Sequence, residues 1–246
     1  MSVRVTFLGA GDAFGSGGRC MAAYLVETPT TSLLLDCGPT ILTSSKRHGV
    51  DLERVDAVVL SHLHGDHFGG LPFLFLEYLF ERPRKRPLVV AGPAGTPGRV
   101  HALFRTMYRD LAREGLAFPV EYLPLSPRRR ATIGDVVLYP FRVPHQKKDV
   151  SLGFRLETNS RVLVYSGDSG WTEALVRHSR DADLFVCECC FFETRVDFHL
   201  DYPRIAENRS RLSCKRLVLS HLGREVLARA DEVREELAFD GLVVEL

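Results

Sequence analysis

The stretch Ser61-His-Leu-His-Gly-Asp-His67 decides how the rest of the chain is read. It follows Ala57-Val-Val-Leu60, an apolar run with the composition of a buried strand. In extended backbone, residues i and i+2 share a face, so His62 and His64 can grip one ion at the strand's end. Gly65 lets the chain turn, and Asp66 and His67 can then address a neighbouring site. Three imidazoles and a carboxylate suit a borderline divalent metal, zinc first, with iron or manganese as alternatives. An ordinary solvated loop would give no reason to crowd four metal-competent side chains behind a buried strand. The segment cannot close two sites by itself, so partners are expected at the ends of later strands. His145 after Phe141-Arg-Val-Pro144, Asp168 after Val164-Tyr-Ser-Gly167 and His221 after Val218-Leu-Ser220 stand at such positions.

The chain of 246 residues can bury a substantial core. Apolar residues at 45% and charged residues at 26% exclude disordered, fibrous and disulfide-scaffold classes. With 32 Lys plus Arg against 31 Asp plus Glu, the net charge is +1, so no global field selects nucleic acid, membrane or acidic partners. Local basic runs are Arg82-Pro-Arg-Lys-Arg86 and Arg128-Arg-Arg130; each reads as a solvated loop or as a guide for a polyanion. Lys147 and Lys148 follow His145 directly, where they could meet a phosphate. The opening Met1 to Leu8 is too short an apolar run for a signal peptide. Leu71 to Phe80 falls short of the ~20 residues a bilayer needs. Six cysteines without CxxC pairing are expected as reduced thiols in a cytoplasmic protein, with Cys187-Glu-Cys-Cys190 closing a buried strand.

Strands are expected at Val3 to Leu8, Ala22 to Glu27, Thr31 to Asp36, Ala57 to Leu60 and Leu88 to Ala91. The second half adds strands near Val120, then Val136 to Val143, Leu152 to Glu157, Val162 to Tyr165, Leu184 to Cys187, Leu217 to Leu219 and Leu242 to Val244. Helices are expected at Ile41 to Arg47, Phe68 to Phe80, Pro97 to Arg113, after Trp171, Pro203 to Leu212 and Leu227 to Leu237. His48, His101 and His178 fall in helices or at their ends and carry no assigned chemistry. Hairpin-rich starts with helices in both halves suggest an α/β sandwich in one domain, residues 1–246, two sheets face to face with helices outside. A doubly wound parallel sheet is the alternative.

These residues resemble the metallo-β-lactamase superfamily over essentially the whole chain. Its HxHxDH signature is matched by His62, His64, Asp66 and His67, and its later ligands by His145, Asp168 and His221. The resemblance implies a four-layer αββα sandwich and a site for two divalent metal ions. It places His62, His64 and His145 on one ion, Asp66, His67 and His221 on the other, and Asp168 between them. Asp36 in Leu33-Leu-Leu-Asp-Cys-Gly38 matches the family's strand-end aspartate, which would orient ligands.

Within the superfamily the chain looks most like the ribonuclease Z and phosphodiesterase branch. Phe7-Leu-Gly-Ala-Gly11, Gly70-Leu-Pro72, Gly92-Pro-Ala-Gly95 and Tyr165-Ser-Gly-Asp168 carry that likeness. Asp66, Glu188 and His199 fall at its catalytic positions, which implies that His199 protonates the leaving group while Glu188 holds its imidazole. The sequence departs from the branch where Leu-Asp-Tyr follows His199, in His221-Leu-Gly-Arg, and in lacking a Gly/Pro-rich inserted arm. The expected substrate is therefore a small or flexible nucleotide phosphodiester, or short single-stranded nucleic acid, rather than precursor transfer RNA. Expected partners also include a second copy in a homodimer, and no membrane. The rival activity is hydrolysis of a carboxylic ester, lactone or thioester at the same site. A non-catalytic binding protein fits less well, because all seven ligand positions are filled.

Overall fold

The computed structural model describes residues 2–158 and 161–246. In the first half, strands run β1 Arg4–Gly9, β2 Ala23–Glu27, β3 Ser32–Leu35, β4 Ala57–Val59, β5 Leu88–Gly92 and β6 Val120–Pro124. The second half holds β7 Ala131–Ile133, β8 Val136–Val143, β9 Ser151–Glu157, β10 Val162–Tyr165, β11 Leu184–Glu188, β12 Arg216–Ser220 and β13 Glu236–Leu237, and β14 Val243–Glu245 returns to the first sheet. They form two seven-stranded sheets, ordered β14-β1-β2-β3-β4-β5-β6 and β13-β12-β11-β10-β9-β8-β7. Each begins as an antiparallel meander and turns parallel halfway, at β3–β4 and at β10–β11.

The inner faces meet in one core. Val5, Phe7, Tyr24, Leu35 and Val59 from the first sheet pack with Leu138, Phe154, Leu156, Tyr165 and Val186 from the second. Period-two alternation sends the other residues of each strand outward: Val58 and Leu60 join Leu34 under the helices Ile41–Arg47 (α1), Leu71–Leu76 (α3) and Thr96–Met107 (α4). On the opposite side Val164, Phe185 and Leu219 lie under Glu173–His178 (α6), Tyr202–Asn208 (α7) and Arg224–Ala228 (α8). The layers are thus helices, sheet, sheet, helices. This is the αββα sandwich, and the doubly wound alternative is excluded.

Three expected helices differ. Leu227 to Leu237 does not continue as a helix: α8 ends at Ala228, a short turn spans Ala230–Glu232, and Glu236 and Leu237 pair with Val218 and Leu219 of β12. The open edge of β12 offers backbone partners that override the helix propensity of this Ala/Arg/Glu-rich run. Phe68 to Phe80 is broken after Gly65–Phe68 (α2), since Gly70 donates its N–H to Cys37 O at 2.8 Å. A Cβ at Gly70 would stand 2.3 Å from Gly38 O, so only glycine lets the two backbones meet. After α3 the chain widens into a π turn, Glu77–Glu81. The helix expected from Pro97 to Arg113 breaks at Tyr108 (φ −136), beyond which Arg109–Glu114 forms α5.

Two members of the basic run Arg82 to Arg86 are engaged within the fold, while Arg82 and Lys85 are exposed. Arg84 is buried, donates to the carbonyls of Arg86, Glu53 and Pro87, and lies over the Tyr78 ring. Arg86 pairs with Asp56. Their guanidinium donors close the α3–β5 connection. Among the described residues no helix is long and apolar enough to cross a membrane.

Candidate metal centre

All the strand-end residues singled out above converge at one edge of the sandwich. The chain leaves β4 through Ser61 and His62, and α2 starts at Gly65, so Asp66 and His67 lie in its first turns. His145 follows β8, Asp168 follows β10 and His221 follows β12. Two sets of donors take in all seven expected ligands, and His199 also lies near enough to join His145 and Asp168, or Cys190 and His221. His62, His64 and His145 bring nitrogen atoms within 4.8 Å of one another, and so do the donor atoms of Asp66, His67, Asp168 and His221. The Asp168 carboxylate lies between them: Oδ2 is 3.8 Å from His62 Nε2 and 3.7 Å from His145 Nε2, and Oδ1 is 3.2 Å from His67 Nε2 and 3.5 Å from His221 Nε2.

The tautomers are fixed from behind. His67 Nδ1 donates to Asp36 Oδ2 at 2.8 Å, and His145 Nδ1 donates to Phe198 O at 2.9 Å, because neither acceptor has a hydrogen to give. In both rings Nε2 is left facing the cluster. Asp36 is wholly buried at φ +56 and also accepts from Ser61 N, Ser61 Oγ and Tyr165 Oη at 2.7, 2.7 and 2.6 Å. Such a strained, fully hydrogen-bonded carboxylate is a rigid anchor for the ligand it holds.

The donor set fits a metal. His62 Nε2, His67 Nε2 and Asp168 Oδ1 are buried without a hydrogen bond among the described residues. Each such atom costs about 1–3 kcal/mol unless something partners it, and three in one cluster share a single explanation in a bound cation. Charge points the same way. Burial opposes protonation of His67 and His221, yet Asp168 holds both well above the usual imidazole range, helped at His67 by Asp36 and at His221 by Asp66. Burial likewise opposes ionisation of Asp168, but His221 and His67 hold it well below the carboxylate range. The cluster calls for positive charge. Burial lowers His62, His64 and His145, leaving their imidazoles neutral as ligands must be. Nitrogen and oxygen donors without thiolate suit zinc, iron or manganese; burial pushes the neighbouring Cys190 thiol up and keeps it protonated.

Beside this cluster, His199 Nδ1 lies 2.8 Å from Glu188 Oε1. Glu188 is buried at the end of β11 and further accepts from Ser169 N at 2.7 Å and Cys190 N at 3.2 Å. The His199 ring stacks 5.6 Å from His221 and meets His145 edge-on at 4.8 Å. His145, His199 and His221 open onto a cavity of about 650 Å³ that also takes in Lys147 and Lys148, with Glu188 buried behind His199. Its rim carries Phe14, 88% exposed, and Phe198, 47% exposed. The sequence reading missed Phe14, Phe198, Cys190 and the anchoring Tyr165 hydroxyl. Phe14 had a local signal, an aromatic between Asp12 and the glycines Gly15, Gly17 and Gly18, whereas the others are placed only by tertiary contacts.

The fold has close counterparts. The metallo-β-lactamase fold protein YhfI from Bacillus subtilis superposes with a TM-score of 0.78 at 21% identity, over 100% of this chain and 99% of that one. Human tRNase Z, short form, superposes with a TM-score of 0.76 at 26% identity, over 98% of both chains. An uncharacterized protein of Mycobacterium tuberculosis, Rv1339, is 31% identical over 99% of this chain and 89% of its own length. Fold, site and relatives define a metal-dependent hydrolase of the metallo-β-lactamase superfamily, similar to ribonuclease Z. Residues 3–242 match the family model described as anti-Pycsar protein Apyc1, and the chain belongs to that family.

Proposed function

We propose that the protein is a dinuclear metal phosphodiesterase acting on small nucleotide phosphodiesters, cyclic nucleotides foremost. The observation that carries this reading is Asp168, whose two oxygens face two separate donor sets. His62, His64 and His145 would hold one ion, Asp66, His67 and His221 the other, with Asp168 shared; zinc is the first candidate. Two such ions lower the pKa of water from 15.7 toward about 7 and offset charge on a phosphoryl oxygen.

The chain's own groups supply the rest. With Nδ1–H committed to Glu188, His199 carries its transferable proton on Nε2. Burial works against that proton, but the charge and hydrogen bond of Glu188 outweigh it and raise the His199 pKa. A protonated His199 beside the donor sets can deliver its proton to the departing alkoxide. Lys147 and Lys148 line the same cavity and can meet the non-reacting phosphate oxygens. The cavity's size suits a mononucleotide.

The test is a substrate panel on metal-loaded protein: a cyclic nucleotide, a nitrophenyl phosphodiester, precursor transfer RNA, a lactone and a thioester. Turnover of the phosphodiesters, with little cleavage of transfer RNA, is expected. Faster turnover of the lactone or thioester overturns the reading, and strong, steeply salt-dependent transfer-RNA processing overturns the assigned substrate size.

The exposed Phe14 and Phe198 rings offer faces on which a base can stack. Stacking is worth about 1–3 kcal/mol per base, so Phe14→Ala should raise KM for a cyclic nucleotide by about tenfold while leaving a base-free dialkyl phosphodiester unaffected. Equal KM changes for both substrates would show that Phe14 only shapes the loop.

A further inference from the structure

The second basic run, Arg128 to Arg130, belongs to a cavity that the metal chemistry does not use. The cavity, about 350 Å³, lies on the helix side of the second sheet between the β6–β7 turn, β8 and α6. Arg128, Arg130, Arg142 and Arg177 all line it, and no Asp or Glu does. Among the described residues none of these four guanidinium groups has a carboxylate within ion-pair distance or a hydrogen bond. Glu173, on the same helix, is already engaged by Arg211 at 2.5 Å.

The walls between the charges are built. Arg128 N–H donates to Pro140 O at 3.1 Å and Arg129 N–H to Ser126 O at 3.2 Å, which pins the turn to β8. Phe141 is buried with its ring flat on the His178 imidazole, centroids 4.1 Å apart and planes 11° from parallel, and Tyr139 lines the cavity beside them. Burial, Arg177 and Arg155 all lower His178, leaving a neutral ring in a positive surround. Four guanidinium forks with no carboxylate in direct contact, Arg177 feeling Glu173 only at longer range, favour an anion with several oxygens, which they can bind bidentately. Phe141 and His178 cover each other, so the half-buried Tyr139 is the aromatic wall that a flat ring can meet.

We propose that this cavity is a second ligand site, for a phosphorylated small molecule bearing an aromatic ring, such as a nucleoside diphosphate. It does not depend on the chemistry assigned to the metal centre. β8 runs from the cavity toward His145 and α6 follows Asp168, so the occupied site shares two elements with the donor sets.

Titration calorimetry with ADP and with pyrophosphate tests it, on the wild type, R142E/R177E, R142Q/R177Q and Asp168→Ala. Arg142 and Arg177 are both exposed, so the variants should melt as the wild type does and should still turn over a cyclic nucleotide. ADP affinity is expected to fall at least about tenfold in both arginine variants and to persist in Asp168→Ala, with ADP binding more tightly than pyrophosphate. Isotherms unchanged by the arginine substitutions overturn the proposal. So does binding that appears only with a single-stranded oligonucleotide, which would make the surface a polynucleotide track. Loss in Asp168→Ala alone would place the bound ADP at the metal centre and also overturn it.

Discussion

Asp168→Ala should strip the protein of metal and of activity together. Wild-type protein is expected to carry about two divalent ions per chain, and the variant well below one, when elemental analysis follows gel filtration. Among the described residues the carboxylate is the one group that faces both donor sets, so its loss weakens each, whereas Ala in place of His64 or His221 removes a donor from one set only. Its removal also leaves His67 and His221 without their main counter-charge in a buried cluster, which makes the empty site less able to hold its shape. A second readout is independent of turnover. At a metal concentration a hundredfold above Kd, each bound ion adds about 2.7 kcal/mol, or roughly 5–10 °C in Tm for a chain of this size. A chelator should abolish that increment in the wild type and change nothing in Asp168→Ala. Unchanged metal content in the variant, or a wild type whose Tm ignores chelator, would sink the dinuclear reading.

The difference between what the sequence disclosed and what it hid follows from how local each feature is. His62, His64, Asp66 and His67 are set by the extended connection that follows β4 and by the turn at Gly65, so their partnership can be read within six residues. His145, Asp168 and His221 could be found because in each case a buried strand stops just before them. The helix read into Leu227 to Leu237 shows the opposite case. Its residue types favour a helix, but the pairing of Glu236 and Leu237 with β12 depends on an edge that exists only in the folded sheet. Arg84 was hidden for a different reason: its carbonyl partners at Arg86 and Pro87 and the Tyr78 ring are near in sequence, but the turn that folds the side chain onto them, and onto Glu53 O, has no residue-type signature. Asp36 was expected to orient the donor residues, and it does hold His67; its bond to Tyr165, 129 positions away, had no local signal. That bond ties the first sheet's anchor to the second sheet, so the two halves hold the candidate donors in register.

His199→Ala should leave metal content near wild type and lower kcat for an unactivated phosphodiester by about 10²–10⁴-fold, the usual worth of general acid–base help. The expectation rests on position: His199 touches His145 and His221 by ring contact, its Nδ1 is held by Glu188, and the ring lines the cavity with no hydrogen bond at Nε2 among the described residues. The leaving group separates a proton donor from a side chain that merely shapes the pocket. A nitrophenolate departs with little need of a proton, so the same substitution should cost that substrate far less, on the order of tenfold or under. Glu188→Gln keeps the volume and an acceptor oxygen for His199 but removes the charge that supports its proton. It should therefore reproduce the leaving-group pattern at smaller amplitude, unless the bonds from Ser169 and Cys190 that also converge on Glu188 are disturbed, which a shift in metal content would report. Equal losses on good and poor leaving groups in both variants would assign the pair to positioning, with the proton coming from solvent.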